Sequence, residues 1–355
     1  MRFTEISAIM PINMKVSELG EFGLIGLIER VVAGLEKASL AQRRLKVGIG
    51  DDCAAWSGDG SIELATTDTL VQDVHFHTGM IGWRELGWKS LAVNISDIAA
   101  MGGWPTYALV SLSLPGSAEA NDIVDFYRGM VSLGNRFGVA IAGGNITQSP
   151  VVVITLAVMG KLGRGLKTPL LRSAAVPGDL IAVTGSLGLS SGGLRMIVTG
   201  MGLDISTARL FRRKHNMPIP RVTEGLVLRQ TGVMCAIDIS DGLVGDLAHV
   251  CQKSGVSAVV RLEKLPVHSR LRSVFPADYL DMALYGGEDY ELLFTAKPRV
   301  MLLVKRKLKC PVTIIGEVVP KHRDMVTVVD ASGKPVPYGL GGWEHFKVSA
   351  VIPKS

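Results

Sequence analysis

From Trp83 to Met101 the chain repeats large apolar residues at helical spacing, with Leu91, Ile95 and Ile98 on one side, and it stops at the glycine pair Gly102 and Gly103. Strand patterns lie on either side, Ile62–Thr67 before it and Tyr107–Leu114 after it. A long helix between two strands requires a layered α/β arrangement, because each apolar face needs another element to cover it. The alternation continues with a helix over Ile123–Phe137 and short strands at Val139–Ala142 and Val151–Val158. Beyond a stretch rich in Gly, Pro and bases at Gly163–Asp179, strands are expected at Leu180–Thr184, Ala236–Ile239, Ala258–Leu262, Tyr290–Thr295, Thr313–Val318 and Met325–Val329. Helices are expected after the glycine-rich "TGSLGLSSGGL", from Leu243 and near Arg299, and an opening helix over Ser17–Leu35 has Ser17 as its cap.

A chain of 355 residues exceeds the usual single domain. The division expected is a flexible extension over 1–16, an N-terminal domain over 17–161 and a C-terminal α/β domain over 162–355. With 47% hydrophobic and 20% charged residues, a disordered or fibrous protein is excluded. A mean hydropathy of +0.31 raises the question of a membrane span, but runs such as Val151–Gly160 fall far short of the roughly 20 residues needed. The first residues show no secretory leader, and a cytoplasmic location is the expectation. Cys53, Cys235, Cys251 and Cys310 form no CxxC pair and read as reduced structural thiols.

The formal charge of +6 rests partly on "RRKH" (Arg212–His215) and "KRKLK" (Lys305–Lys309). The second follows Val300, Met301, Leu302 and Leu303 in an amphipathic pattern, and no stacking aromatics interleave with either cluster. Neither a nucleic-acid partner nor a membrane is expected.

The acids are distributed differently. Asp51 and Asp52 in "GIGDD", Asp68 in "TTDT", Asp97 in "NISDIAAMGG", Asp238 and Asp241 in "DISDG", and Glu288 and Asp289 in "GGEDYE" all fall beside glycines or at strand ends. Each alone reads as a cap or turn residue. Carboxylates that converge need a compensating cation, and with Thr66 and Thr67 they supply the hard oxygen donors that magnesium takes. The chain has no GxxxxGK[ST] phosphate loop, and its histidines lack metal-ligand spacing.

In order along the chain, "GIGDDCA", "TTDTLVQDVHF", "LAVNISDIAAMGG", "VPGDLIAVTGSLG", "AIDISDGLVGDL" and "GGEDYELLFT" resemble the thiamine-monophosphate kinase family, within the aminoimidazole-ribotide synthetase-like superfamily. The resemblance runs from about Ser17 to Phe346. It implies a two-domain α/β (α+β) fold whose N-terminal domain gives strands to a barrel shared across a homodimer. The reaction implied is ATP-dependent phosphorylation of thiamine monophosphate to thiamine diphosphate with several Mg2+ ions, the last step of thiamine diphosphate biosynthesis.

By the same resemblance, metal would fall to Asp52, Thr66, Thr67, Asp68, Asp97, Asn145, Asp238 and Asp241. Nucleotide contacts would fall to Tyr127, a turn at Gly144 and Asn145, Arg172 and Ser240, and substrate contacts to His75, Glu288 and Trp343. The acceptor is already an ionised phosphate oxygen, so no general base is nominated. One departure is that "GGNITQS" stands where the family carries an aspartate, so Asn145 offers an amide oxygen without negative charge. Two alternatives remain open: another ATP-using enzyme of the superfamily, or a nucleotide-binding protein with weakened catalysis.

Overall fold

The computed structural model describes residues 44–47, 50–58 and 60–336. The extension over 1–16, the helix expected over Ser17–Leu35, and Trp343 lie outside the described residues.

The first six-stranded sheet contains β1 (Leu45–Val47), β2 (Ala54–Ser57), β3 (Ile62–Val71), β4 (Trp104–Leu114), β5 (Ala140–Gln148) and β6 (Val153–Lys161), in the order β1-β2-β3-β6-β4-β5. Only β5 pairs in parallel, with β4. Helices α1 (Trp83–Ala100) and α2 (Ala120–Phe137) cover one face. There Ile62, Leu64 and Leu70 of β3 meet Leu91, Ile95 and Ile98 of α1 in a single core, as the period of two along a strand dictates.

The second six-stranded sheet contains β7 (Leu180–Thr184), β8 (Cys235–Asp238), β9 (Ser257–Arg261), β10 (Leu292–Ala296), β11 (Val312–Val319) and β12 (Val326–Val329), in the order β12-β9-β11-β7-β10-β8. Here only β12 is parallel to its neighbour, β9. Around it lie α3 (Leu189–Thr199), α4 (Ile205–Asn216), α5 (Val222–Gln230), α6 (Leu243–Ser254), α7 (Ser269–Val274), α8 (Tyr279–Tyr285) and α9 (Pro298–Lys307). The basic end of α9 is exposed, whereas His215 at the end of α4 is buried.

Two expectations need correction. The turn expected at Gly144 and Asn145 is strand instead, and the short strand expected at Val139–Ala142 runs on as β5 through Gln148. A Cβ on Gly144 would lie 1.8 Å from the Val110 carbonyl oxygen, so glycine lets β5 stay paired with β4 there. The last expected strand of "GGEDYELLFT" begins at Leu292 rather than Tyr290, since Glu288 and Tyr290 have φ of 65° and 49°.

From Leu86 onward α1 is buried at every residue except Asp97, which is half-buried. A helix enclosed on all sides needs small residues where its neighbours cross it. Added Cβ atoms would lie 1.8 Å from the Phe126 oxygen at Gly87, 1.9 Å from the Arg84 oxygen at Gly129, and 2.0 Å from the Ala99 oxygen at Gly225. These glycines set how closely α2 and α5 approach α1. Gly129→Leu is expected to destabilise the protein by at least about 2 kcal/mol, because backbone must move to admit the side chain. Chemical denaturation checks this, and an unchanged midpoint would contradict the close crossing.

Candidate active site

Three carboxylates from three distant segments converge. Asp52 follows β1, Asp97 lies near the end of α1, and Asp238 ends β8; one oxygen from each falls within 4.8 Å of the other two. Asp68 joins them through a side-chain hydrogen bond with Asp97, and the Thr66 hydroxyl donates to Asp97 Oδ2 at 2.6 Å. Alternation along β3 places Thr66 and Asp68 on the face toward α1. The Ser96 hydroxyl donates to Asp238 Oδ2 at 2.6 Å, so α1 binds the end of β8 directly. The Asn94 side-chain oxygen accepts the Asp68 backbone N–H at 3.1 Å and fixes that turn of the site.

Arg172 supplies one cation. Its Nε donates to Asp52 Oδ2 at 3.0 Å, a second guanidinium nitrogen reaches Asp52 Oδ1, and its backbone N–H donates to Asp51 at 3.3 Å. Burial would lower the guanidinium's affinity for its proton, but the Asp52 charge and hydrogen bonds raise it, so Arg172 stays charged. In this arrangement the guanidinium holds Asp52, where the sequence reading had it on a nucleotide.

One guanidinium does not balance the group. Burial, followed by the Asp52 charge, pushes Asp51 up to about 6 and Asp238 up to about 8. Burial likewise raises Asp68 to about 6, and burial with the charges of Asp68, Asp238 and Asp52 raises Asp97 far above the carboxylate range. The cluster holds protons that a cation would displace.

The loop after β8 is set by a residue the sequence reading passed over. Asp246 of α6 is buried, and its Oδ2 accepts the backbone N–H groups of Ser240, Asp241 and Gly242, each at 3.2 Å. Its signal was the third acid of "DISDGLVGD", one helical turn past the first glycine. The "GGEDYE" loop lies against this one: the Glu288 N–H donates to the Ser240 oxygen at 2.7 Å and the Tyr290 N–H to the Ile239 oxygen at 2.9 Å. Asp289 crosses to the start of α3, where it accepts from the Gly188 and Ser190 N–H groups.

At the other end of α1, Lys89 is buried and places Nζ 2.9 Å from Glu288 Oε1 and 3.0 Å from Oε2. His215 Nδ1 lies 3.3 Å from Glu288 Oε2 and 3.0 Å from the Ser190 hydroxyl. Burial, then the Lys89 charge, pushes His215 down to about 4, so it is neutral near pH 7. Burial opposes ionisation of Glu288, but Lys89 outweighs it and lowers the carboxyl, with His215 and His75 adding to the effect. The His75 Nδ1 accepts the Val71 N–H at 3.0 Å.

The structure thus brings together Asp52, Thr66, Asp68, Asp97, Asp238 and Arg172, with Ser240 and Asp241 on the adjoining loop, and His75 is close enough for its charge to act on Glu288. Thr67 is apart: it is exposed on the opposite face of β3, its hydroxyl donating to the Leu156 oxygen at 2.8 Å. Asn145 pairs with Ser111 on that outer face at the edge strand β5, three strands from β3 or about 14 Å. Tyr127 lies elsewhere again, in an open cleft of about 850 Å³ lined by Leu114, Ile123, Val131 and Ile146, with Arg84 and Arg128 among its walls.

Models of two families match this chain: AIR synthase related protein, N-terminal domain, over residues 50–162, and AIR synthase related protein, C-terminal domain, over residues 176–329. A thiamine-monophosphate kinase of Bacillus subtilis (strain 168) is 34% identical over 308 residues, covering 85% of this chain and 94% of the relative. One of Escherichia coli (strain K12) is 36% identical over 335 residues, covering 92% and 98%. The chain belongs to the thiamine-monophosphate kinase family. A solved structure of AaThiL complexed with AMPPCP and TMP superimposes with a TM-score of 0.79 at 32% identity, covering 94% of this chain and all of that one. Membership agrees with the two-sheet α/β architecture, and among the described residues no helix is long and apolar enough to cross a membrane.

The raised carboxyls fix a pH response. Asp97 and Asp238 keep protons in the folded chain that the unfolded chain, with ordinary carboxyls near 4, has released. Folding stability is then lost as pH rises through the folded-state values. In chelator, the denaturation midpoint is expected to fall between about pH 7 and pH 8, a window above the titration of His215. A midpoint that rises there would overturn the shared-proton description.

Proposed function

We propose that this protein transfers the γ-phosphoryl group of ATP to the phosphate of thiamine monophosphate, giving thiamine diphosphate and ADP. The observation that carries the reading is the cluster of Asp52, Asp68, Asp97 and Asp238 where the two sheets' elements meet. The related structure that holds an ATP analogue and TMP together supports both substrates. A bond forms between an acceptor phosphate oxygen and the γ-phosphorus as the β–γ bridge breaks, and the acceptor oxygen is already ionised. Alignment and charge compensation are therefore the protein's work.

The donors in the cluster are all oxygen, three of them carboxylates within 4.8 Å, which fits Mg2+. Asp52, Asp68, Asp97 and Asp238 would hold it, with Thr66 and Asp241 beside them, and it would neutralise phosphate charge there. Arg172 keeps Asp52 oriented, while Asp246 holds the Ser240–Gly242 backbone in place. The cleft at Tyr127 suits a nucleotide base, with Arg84 and Arg128 near its phosphates. Glu288 and His75 face the acceptor. We divide these roles between an N-terminal domain, 17–161, and a C-terminal domain, 162–355. Four cysteines without a disulfide support a cytoplasmic location.

The assembly we propose is a homodimer. The outer face of the first sheet exposes Tyr107 and Leu109, and edge strand β5 is exposed along almost its whole length. Thr67 and Asn145 lie on that face, so their part in binding metal belongs to the assembled pair rather than to one chain's acidic cluster.

Purified protein with ATP, Mg2+ and thiamine monophosphate is expected to form thiamine diphosphate, and chelation or Asp238→Asn to reduce the rate by at least about 100-fold. Nucleotide binding without product would remove the kinase reading. By sedimentation the protein is expected at twice the chain mass of 37.9 kDa. Tyr107→Glu should shift it toward the monomer; a monomeric parent protein would dismiss the shared barrel.

A further inference from the structure

Lys89 has no place in the roles assigned so far, yet it is a buried ammonium in the central helix, 2% exposed. Both Glu288 oxygens lie on it, at 2.9 and 3.0 Å, and His215 approaches Oε2 at 3.3 Å. The Glu288 side chain is still 28% exposed, so it remains open to a ligand. A carboxylate accepts about four hydrogen bonds. Lys89 donates to Oε2 and lies 2.9 Å from Oε1, and His215 lies 3.3 Å from Oε2, so Oε1 keeps acceptor capacity.

The pair is also balanced in charge. A cation approaching Glu288 meets the Lys89 ammonium directly behind it, so a positive ring gains little there, whereas a neutral N–H donor can satisfy the remaining site. The backbone enforces this presentation, because Glu288 sits at φ 65° with its N–H on the Ser240 oxygen. Lys89 and Ser96 are seven residues apart, on one side of α1, and grip Glu288 and Asp238 respectively. Lys89 and Asp97, eight residues apart, are separated by about 12 Å along the helix.

We propose that Lys89 is a positioning residue for acceptor specificity: it fixes and neutralises Glu288 so that this carboxylate recognises a neutral amine on the acceptor's heteroaromatic ring, about 12 Å from the acidic cluster, and not the acceptor's positive charge. This rests on the reading of Glu288 as an acceptor contact. In thiamine monophosphate the group with that chemistry is the amine of the aminopyrimidine.

Calorimetry with thiamine monophosphate and with its 4-oxo analogue, in which a carbonyl replaces the amine, tests the assignment. The parent protein is expected to bind the amine about 100-fold more tightly, as a site left with an unpaired acceptor rejects the analogue. Lys89→Met should cut that ratio at least about tenfold by weakening the amine alone, raise KM for the acceptor more than it lowers kcat, and leave affinity for an ATP analogue within about twofold. Equal binding of the two ligands by the parent protein overturns the inference, and this comparison needs no variant. Equal weakening of both ligands in Lys89→Met also overturns it. If the parent protein turns over thiamine monophosphate but binds both ligands equally, only this inference fails. If it neither binds nor turns over thiamine monophosphate, the kinase reading fails and the inference falls with it.

Discussion

Burying a helix on every side removes the solvent that its polar side chains would otherwise use, so each of them needs a fixed partner. In α1 Ser90 turns back on the Leu86 oxygen, and the other partners come from outside the helix: the Asp68 backbone for Asn94, Asp238 for Ser96, Glu288 for Lys89, and Thr66 for Asp97. Trp88 adds a bond from its ring N–H to the Pro218 oxygen at 2.7 Å, and Glu85 accepts from Asn216 at 2.8 Å. The helix packs on the first sheet by its apolar contacts, and its polar ones reach both β3 and the segments around the second sheet. The position of the second domain's acids relative to the first's is therefore set by a rigid element, as an active site divided between domains needs.

The two ends of that helix handle buried charge in opposite ways. At Lys89 a cation and an anion meet with good geometry, and the neighbouring histidine is kept neutral. Around Asp97 the anions outnumber the single guanidinium, and their carboxyls are forced upward. A buried pair that is satisfied within the protein has little left to give a metal. A cluster left in deficit retains affinity for a cation and couples its binding to the release of protons. The same physical cost of burial thus produces a neutral recognition edge at one end and a cation-seeking pocket at the other.

Much of this order was legible in the chain. The helix from Trp83 was set by its period and by the glycines after it, and the acids beside glycines marked the cluster, because few other structures bring backbone and carboxylates that close. β5 was misread because a glycine pair signals a turn in isolation; only the neighbouring Val110 carbonyl shows that Gly144 serves close strand pairing. Thr66 and Thr67 are adjacent in sequence and equal in chemistry, and the strand's alternation sends them to opposite faces. His215 looked like the tail of a basic run, yet it lies under Glu288, a contact across 73 residues that no local pattern encodes. Lys89, Asp246 and His215 act through partners distant in sequence, which is why their types and positions alone did not reveal them.

Transfer between two phosphates brings together groups that repel one another, and the attacking oxygen needs no base to activate it. What limits such a reaction is holding negative charges close while keeping the acceptor in line. An acidic cluster is paradoxical for that task unless cations occupy it, and the elevated carboxyls around Asp97 show that the protein alone leaves it short of positive charge. Arg172 cannot fill the deficit, since its guanidinium is already spread over Asp52. Only positive charge from outside the chain would complete the site, turning a repulsive pocket into an attractive one.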